Sequence, residues 1–129
     1  MVTDADEDKI SNQIIGAAIE VLRALGLGLL ESAYEECLCR EFSLRNITFE
    51  RQVSVPVVYK GINLDCGYRL DIVVTRLVII KLKAIKRFEP IHDAQLLTYL
   101  QLTKLNLGIL LNFNVPVMKH GIKRIVNNL

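Results

Sequence analysis

The 129-residue chain has little with which to staple itself, cross a membrane or advertise a polyanionic partner. Its three cysteines, Cys37, Cys39 and Cys66, form no CxxC pair, and with only His92 and His120 beside them no ordinary zinc spacing can be assembled. A reduced, cytoplasmic protein is therefore expected, its cysteines packing as small hydrophobes. The formal net charge of +2 is too small to signal nucleic acid by itself, so any phosphate binding has to come from local clusters of Lys and Arg. No uncharged apolar run approaches the roughly 20 residues of a membrane span. Residues Met1 to Asp8 are acidic where a signal peptide would be basic. Secretion and membrane insertion are not expected, and there is no internal repeat, low-complexity tract or linker.

What the chain does have is apolar material, 51% of it, enough for one well-buried domain over residues 1–129 and too little length for two. Ile10, Ile14, Ala18, Val21, Leu22 and Leu25 form a helical stripe from Asp8 to about Leu25, which Gly26 is placed to end. A second helix is expected from about Leu30 to Arg45. Leu30, Tyr34, Cys37, Leu38 and Phe42 lie on one side of it, with Glu35, Glu36, Arg40 and Glu41 mostly on the other and Asn46 closing it left-handed. Composition then turns β-branched and aromatic. Phe49 to Tyr59 reads as a first strand, at an edge or bulged because of Pro56. Lys60-Gly61 supplies a turn, Leu64 to Val74 a second strand, and Val78 to about Ile85 a third. Pro90 suits the first position of a helix reaching about Thr103, with Ala94, Leu97 and either Leu100 or Gln101 on successive turns. Leu107 to Phe113 is apolar enough for a buried strand, and Gly121 to Val126 suggests a short last one after Pro116.

The second and third strands can be registered by burial. A three-residue turn, Thr75-Arg76-Leu77, opposes Val74 to Val78, Ile72 to Ile80 and Leu70 to Leu82, an all-apolar face. The other face then pairs Val73 with Ile79, Asp71 with Lys81 and Arg69 with Lys83. A two-residue turn would mix the faces, so burial selects the register that gathers Asp71, Lys81 and Lys83. Such alternation is also what the solvated side of any half-exposed hairpin shows.

Several separate segments narrow that choice. Gly28-Leu29-Leu30-Glu31-Ser32-Ala33-Tyr34 fits the pattern G-x-x-E-x-x-Y, Tyr68-Arg69-Leu70-Asp71 and Lys83-Ala84 follow, then Gln95-Leu96-Leu97-Thr98-Tyr99 and Asn112-Phe113-Asn114-Val115-Pro116. In this order and spacing the chain resembles the GxxExxY proteins, small prokaryotic proteins assigned to the PD-(D/E)xK nuclease superfamily. The resemblance covers nearly the whole chain. It implies an α/β, restriction-endonuclease-like core of helix-strand-strand-strand-helix-strand with one extra N-terminal helix, a mixed sheet flanked by helices. The implied activity is Mg²⁺- or Mn²⁺-dependent phosphodiester hydrolysis of nucleic acid, DNA or RNA, held mainly through phosphate contacts. In the implied roles Asp71 ligates the metal directly and Glu31 is a further ligand or the acceptor for a metal-bound water. Lys83 orients the nucleophilic water and offsets phosphate charge, while Gln95 positions water or substrate. Arg69, Lys86, Arg87 and Tyr99 are the expected nucleic-acid contacts. The plain alternatives are a helix-start acid for Glu31 and a solvated strand lysine for Lys83. For Tyr99 the plain alternative is an amphipathic residue at the core margin.

One position departs from the pattern. Lys81 stands where the E-x-K pair has its acid, and an ammonium cannot ligate a divalent cation and repels it. Metal affinity should therefore be weak, and the chain catalytically impaired. Lys81 faces Asp71 in the register above, so an ion pair can fill the metal's place, and with Lys83, Lys86 and Arg87 it makes a short basic cluster. Three explanations stay open: a degenerate nuclease that keeps the fold and a basic cleft, an enzyme in which Glu31 or another acid takes over, or an individual variant of an active enzyme. A non-catalytic nucleic-acid-binding or protein-interaction module is the rival class. Oligomeric state, including a homo-oligomer, is open.

Overall fold

The computed structural model describes residues 4–127. Helix α1 runs Asp4–Leu25, starting four residues before its expected beginning, and buries Ile14, Ala17, Ala18, Val21 and Leu22 on one stripe. Gly26 follows at φ 74, its N–H donating to the Leu22 carbonyl at 2.7 Å. Helix α2, Glu31–Leu44, buries Tyr34, Leu38, Cys39 and Phe42. Asn46 adopts φ 58 just past its end, the left-handed closure its side chain suggests. Leu30 lies outside the helix as its N-cap and is exposed rather than part of the buried stripe.

The connection between these helices is held by one side chain. The Tyr34 hydroxyl donates to the Gly26 carbonyl at 2.7 Å and accepts the Leu29 N–H at 3.2 Å, while its ring stacks on Phe113 at 4.6 Å. Gly28, at φ 106, takes the backbone through a conformation open to glycine. The tyrosine of the G-x-x-E-x-x-Y pattern is thus fully buried, and it fixes the loop that leads into Glu31.

Beyond these helices the strands are β1 Phe49–Ser54, β2 Val57–Tyr59, β3 Ile62–Leu64, β4 Arg69–Val74, β5 Val78–Lys83, β6 Leu107–Asn112 and β7 Ile122–Val126. Helix α3, Pro90–Thr103, lies between β5 and β6, and a single 3₁₀ turn, Met118–Gly121, precedes β7. Five strands form one mixed sheet in the order β1-β4-β5-β6-β7, with β5 and β6 parallel and the other pairs antiparallel. A parallel pair needs a crossover, and α3 provides it. The sheet separates two apolar layers. Ile72, Val74, Ile80, Leu82, Ile109 and Leu111 pack against α1 and α2, whereas Val73, Ile79 and Leu110 meet Leu96 and Leu100 of α3. Gly108 lets α3 come close, since a Cβ there would lie 2.8 Å from the Leu96 side chain. No helix among the described residues is long and apolar enough to cross a membrane.

Three expectations need correction. The two long strands are each broken: β1 stops before Val55-Pro56, and β2 and β3 form a separate hairpin around Lys60-Gly61. Pro56 has no N–H to continue a ladder, and β1 is indeed an edge strand. In α3 the buried stripe is Leu96 and Leu100, with Ala94 exposed. Finally, Leu70 does not share a layer with Ile72 and Val74 but joins the α3 layer. Its cause lies at the neighbouring Asp71.

Tyr34→Phe tests the loop lock, because the ring stack survives while the hydroxyl is lost. It should cost about 1–2 kcal/mol as one donor and one acceptor lose their partner. Urea denaturation should show a lower midpoint at constant slope; an unchanged midpoint would mean the hydroxyl bridge is not stabilising.

Candidate active site

The β4–β5 hairpin turns through Thr75-Arg76-Leu77, as burial demanded, with Thr75 and Arg76 at φ 49 and 57 and the Leu77 N–H donating to the Val74 carbonyl at 3.0 Å. Val74 opposes Val78, Val73 opposes Ile79, and Ile72 opposes Ile80. There the ladder stops. One position further along, the Asp71 carboxylate accepts the Leu82 N–H at Oδ2, 2.8 Å away, so a side chain takes the donor that a continuing β4 backbone would take. On the other side of β4 the pairing also lapses. Arg51 opposes Ile72 and Val53 opposes Leu70, but Gln52 between them adopts φ 50 and drops out opposite Asp71. Both neighbours of β4 thus loosen at Asp71, and the strand changes face there, which sends Leu70 into the α3 layer.

β5 itself stays regular, because it remains paired with β6 as far as Lys83 opposite Asn112. Alternation therefore places Lys81 and Lys83 on the side of Ile79 and α3. Lys81 Nζ lies 3.4 Å from Asp71 Oδ1, the two side chains being 22% and 16% exposed. Such a pair is less screened than one on the open surface. Lys83 is half-buried and forms no ion pair among the described residues. Asp71, Lys81 and Lys83 are thus gathered on one hairpin.

The remaining expected site residues are more dispersed. Glu31 opens α2 in the opposite layer, is exposed, and enters no ion pair or hydrogen bond among the described residues. Gln95 is exposed on α3, and no hydrogen bond joins it or Glu31 to Asp71. Tyr99 lies one turn beyond Gln95, its ring 6.0 Å from that of Tyr68. Arg69 is exposed, with its guanidinium donating to the Tyr68 carbonyl at 3.1 Å and 4.0 Å from Asp65. Lys86 and Arg87 are exposed in the segment leaving β5, and Arg87 reaches Glu89 at 3.4 Å.

A divalent cation does not fit these donors. Mg²⁺ asks for several oxygen ligands in a near-octahedral set. Here one Asp71 oxygen is taken by a peptide N–H, the other faces an ammonium, and no group of three or more potential His, Cys, Asp or Glu ligands exists among the described residues.

Sequence reasoning missed the residues that support the gap in β1. Glu35 turns inward, its side chain only 12% exposed, rather than lying on the outer side of α2. Arg51 donates to Glu35 at 2.7 Å and to Glu36 at 2.8 Å, and the Gln52 amide donates to Glu35 at 3.0 Å. The hydrogen bond from Arg51 holds the Glu36 carboxyl below its ordinary range, and the bonds to Glu36 and Glu35 push the Arg51 guanidinium up. Burial pushes the nearby Cys39 thiol up to about 11, which suits packing better than reactivity. Asn112 is the other supporting residue. It is buried at the end of β6, where Oδ1 accepts the N–H groups of Ile85 and Asn114 and Nδ2 donates to the Ile85 carbonyl at 2.9 Å. This clamp fixes the chain as it leaves Lys83. The available signals were Glu35 one helical turn after Glu31, and the polar Asn112 and Asn114 ending an apolar strand.

Comparison with known proteins bears on this geometry. A family model of the PD-(D/E)XK nuclease superfamily matches residues 8–125. Comparisons with curated proteins and with solved structures gave no match. The matched span runs from the first helix into the last strand and includes the hairpin whose Asp71 and Lys83 fit the motif in the superfamily's name and whose Lys81 does not. This chain belongs to the PD-(D/E)XK nuclease superfamily.

Proposed function

We propose that this chain is a nuclease-fold protein that binds nucleic acid through its phosphates and is impaired in, or has lost, metal-dependent cleavage. The observation that carries the reading is the 3.4 Å approach of Lys81 to Asp71, an ammonium where the motif has an acid. Its reading as a GxxExxY protein, one domain over residues 1–129, rests on Gly28, Glu31 and Tyr34 and on the later segments in their order.

The electrostatics of the hairpin then change sign. With an acid at position 81, two carboxylates would face one another and need a cation; with Lys81, the Asp71 charge is balanced within the protein. Lys83, Lys86, Arg87 and Arg69 remain to meet phosphate oxygens, and the neutralised Asp71 no longer opposes a polyanion. Because the donor set offers Mg²⁺ or Mn²⁺ no site, no hydrolytic step is assigned. Gln95, on α3 in the layer that Lys81 and Lys83 face, is proposed as a flanking group of this site, and Glu31, at the start of α2 in the other layer, as a group approaching it from across the sheet.

Lys81→Glu removes the ammonium and supplies the absent ligand together. It should raise Mg²⁺- or Mn²⁺-dependent cleavage at least about tenfold over the unmodified chain, a change of roughly 1.4 kcal/mol in barrier. Adding Asp71→Ala to that variant should abolish the gain in the same assay. Robust metal-dependent cleavage by the unmodified chain, indifferent to Asp71→Ala, would put the active site elsewhere.

Phosphate binding has its own signature. Affinity for nucleic acid should fall steeply with salt, and Lys86→Gln should weaken it for all sequences alike while lowering the slope of log K against log salt by about 1. Binding indifferent to ionic strength in a filter or anisotropy titration would favour a protein partner instead.

A further inference from the structure

We infer that the groove between the β2–β3 hairpin and α3 takes an unstacked base of single-stranded nucleic acid, an inference that rests on the nucleic-acid reading above. The groove encloses about 410 Å³ and is lined by Val57 and Tyr68 on one side and Ile91, Gln95, Tyr99 and Leu102 on the other. Its size falls in the range of small-ligand sites, which combine apolar walls with a few polar groups. Those polar groups are present. The Gln95 amide and the Tyr68 and Tyr99 hydroxyls enter no hydrogen bond among the described residues, and the Thr98 hydroxyl donates to Ala94 while keeping its acceptor capacity.

The aromatic pair is arranged to receive a ring. Tyr68 and Tyr99 meet at 60° rather than stacked, and Tyr68 is 46% exposed, so ring surface stays open to the groove. The hairpin beside it exposes Val58, Tyr59 and Ile62, an apolar surface of the kind that marks an interaction site.

Charge identifies the occupant. Arg69 directly follows Tyr68, Lys60 lies 5.3 Å over the Tyr59 ring, and no acid lines the groove. Asp65 stands 4.0 Å from Arg69, but it is 77% exposed and a weak competitor for a polyanion. Alternating ring and cation is the pattern by which proteins stack bases while tracking phosphates. An apolar peptide would leave Lys60 without a counter-charge and Arg69 with only the exposed Asp65, and a second copy of this chain brings +2 of its own. A duplex keeps its bases inside the stack, so the ligand is a single strand.

The test is fluorescence anisotropy of the full chain with labelled single-stranded DNA and RNA of about 12 nucleotides, beside the corresponding duplexes. Single strands should bind more tightly. Tyr68→Ala should weaken single-strand binding about tenfold, leaving duplex affinity and the salt slope unchanged, whereas Tyr68→Phe should retain it. The DNA and RNA arms tell which polymer is preferred, and a stacking loss on either supports the groove. On the unmodified chain, photocrosslinking with an iodouracil-substituted single strand should map to Tyr68 or Tyr99. Equal losses on duplex and single strand, or adducts confined to the Lys83–Arg87 segment, would overturn the base groove while leaving phosphate binding intact. A self-association broken by Tyr68→Ala would assign the groove to a second copy and overturn it too. Absence of any binding at low salt would overturn the wider nucleic-acid reading with it.

Discussion

The ladder between β4 and β5 ends because a carboxylate enters it. Asp71 accepts the Leu82 N–H at 2.8 Å, and the backbone of β4 is thereby released from pairing at the residue proposed above for the site. The rest of the site follows from that substitution of side chain for backbone. β5 can lose its β4 partner without disorder because β6 still holds it to Lys83, and Asn112 then clamps Ile85. β1 gives way at the same level, with Gln52 left-handed and its amide on Glu35. The outcome is a notch in the pairing of the sheet at Asp71, with Lys81 closing the charge balance.

The two apolar layers explain why the notch stays in place. α1 and α2 cover one face of the central strands and α3 the other, so β5 and β6 are buried on both sides and cannot slide without moving an apolar set into water. Tyr34 ties the α1–α2 loop to Phe113 at the far end of β6, and so couples the start of α2 to the strand that supports Lys83. Glu31 is thus set by a buried tyrosine three residues later, even though its own side chain is free in solvent.

Where burial alone decides, sequence was enough to find the structure. The register of Ile72, Val73 and Val74 against Ile80, Ile79 and Val78 follows from keeping apolar residues on one side, and the edge position of β1 follows from Pro56. The mixed sheet flanked by helices was implied instead by the resemblance carried in the ordered motifs, and the family match agrees with it. What could not be read are the consequences of long-range polar contacts. Gln52 has no local reason to be left-handed; its conformation accompanies hydrogen bonds from Gln52 and Arg51 to Glu35, a residue that a helical wheel places outside. Leu70 was assigned by alternation, which holds only in a regularly paired strand, and the pairing of β4 lapses on both sides beside it. The pairing of Lys81 with Asp71 was legible, because both lie on the face left over once the apolar residues are placed.

On the reading proposed above, Lys81 occupies the place a divalent cation would need at Asp71. The Leu82 amide reports on that place directly, since its N–H is bonded to the Asp71 carboxylate. Paramagnetic broadening by Mn²⁺ in an amide-detected NMR spectrum is therefore the decisive measurement. Substoichiometric Mn²⁺ should leave the Leu82 resonance of the unmodified chain intact and broaden it selectively in Lys81→Glu. Selective broadening of Leu82 in the unmodified chain would contradict it.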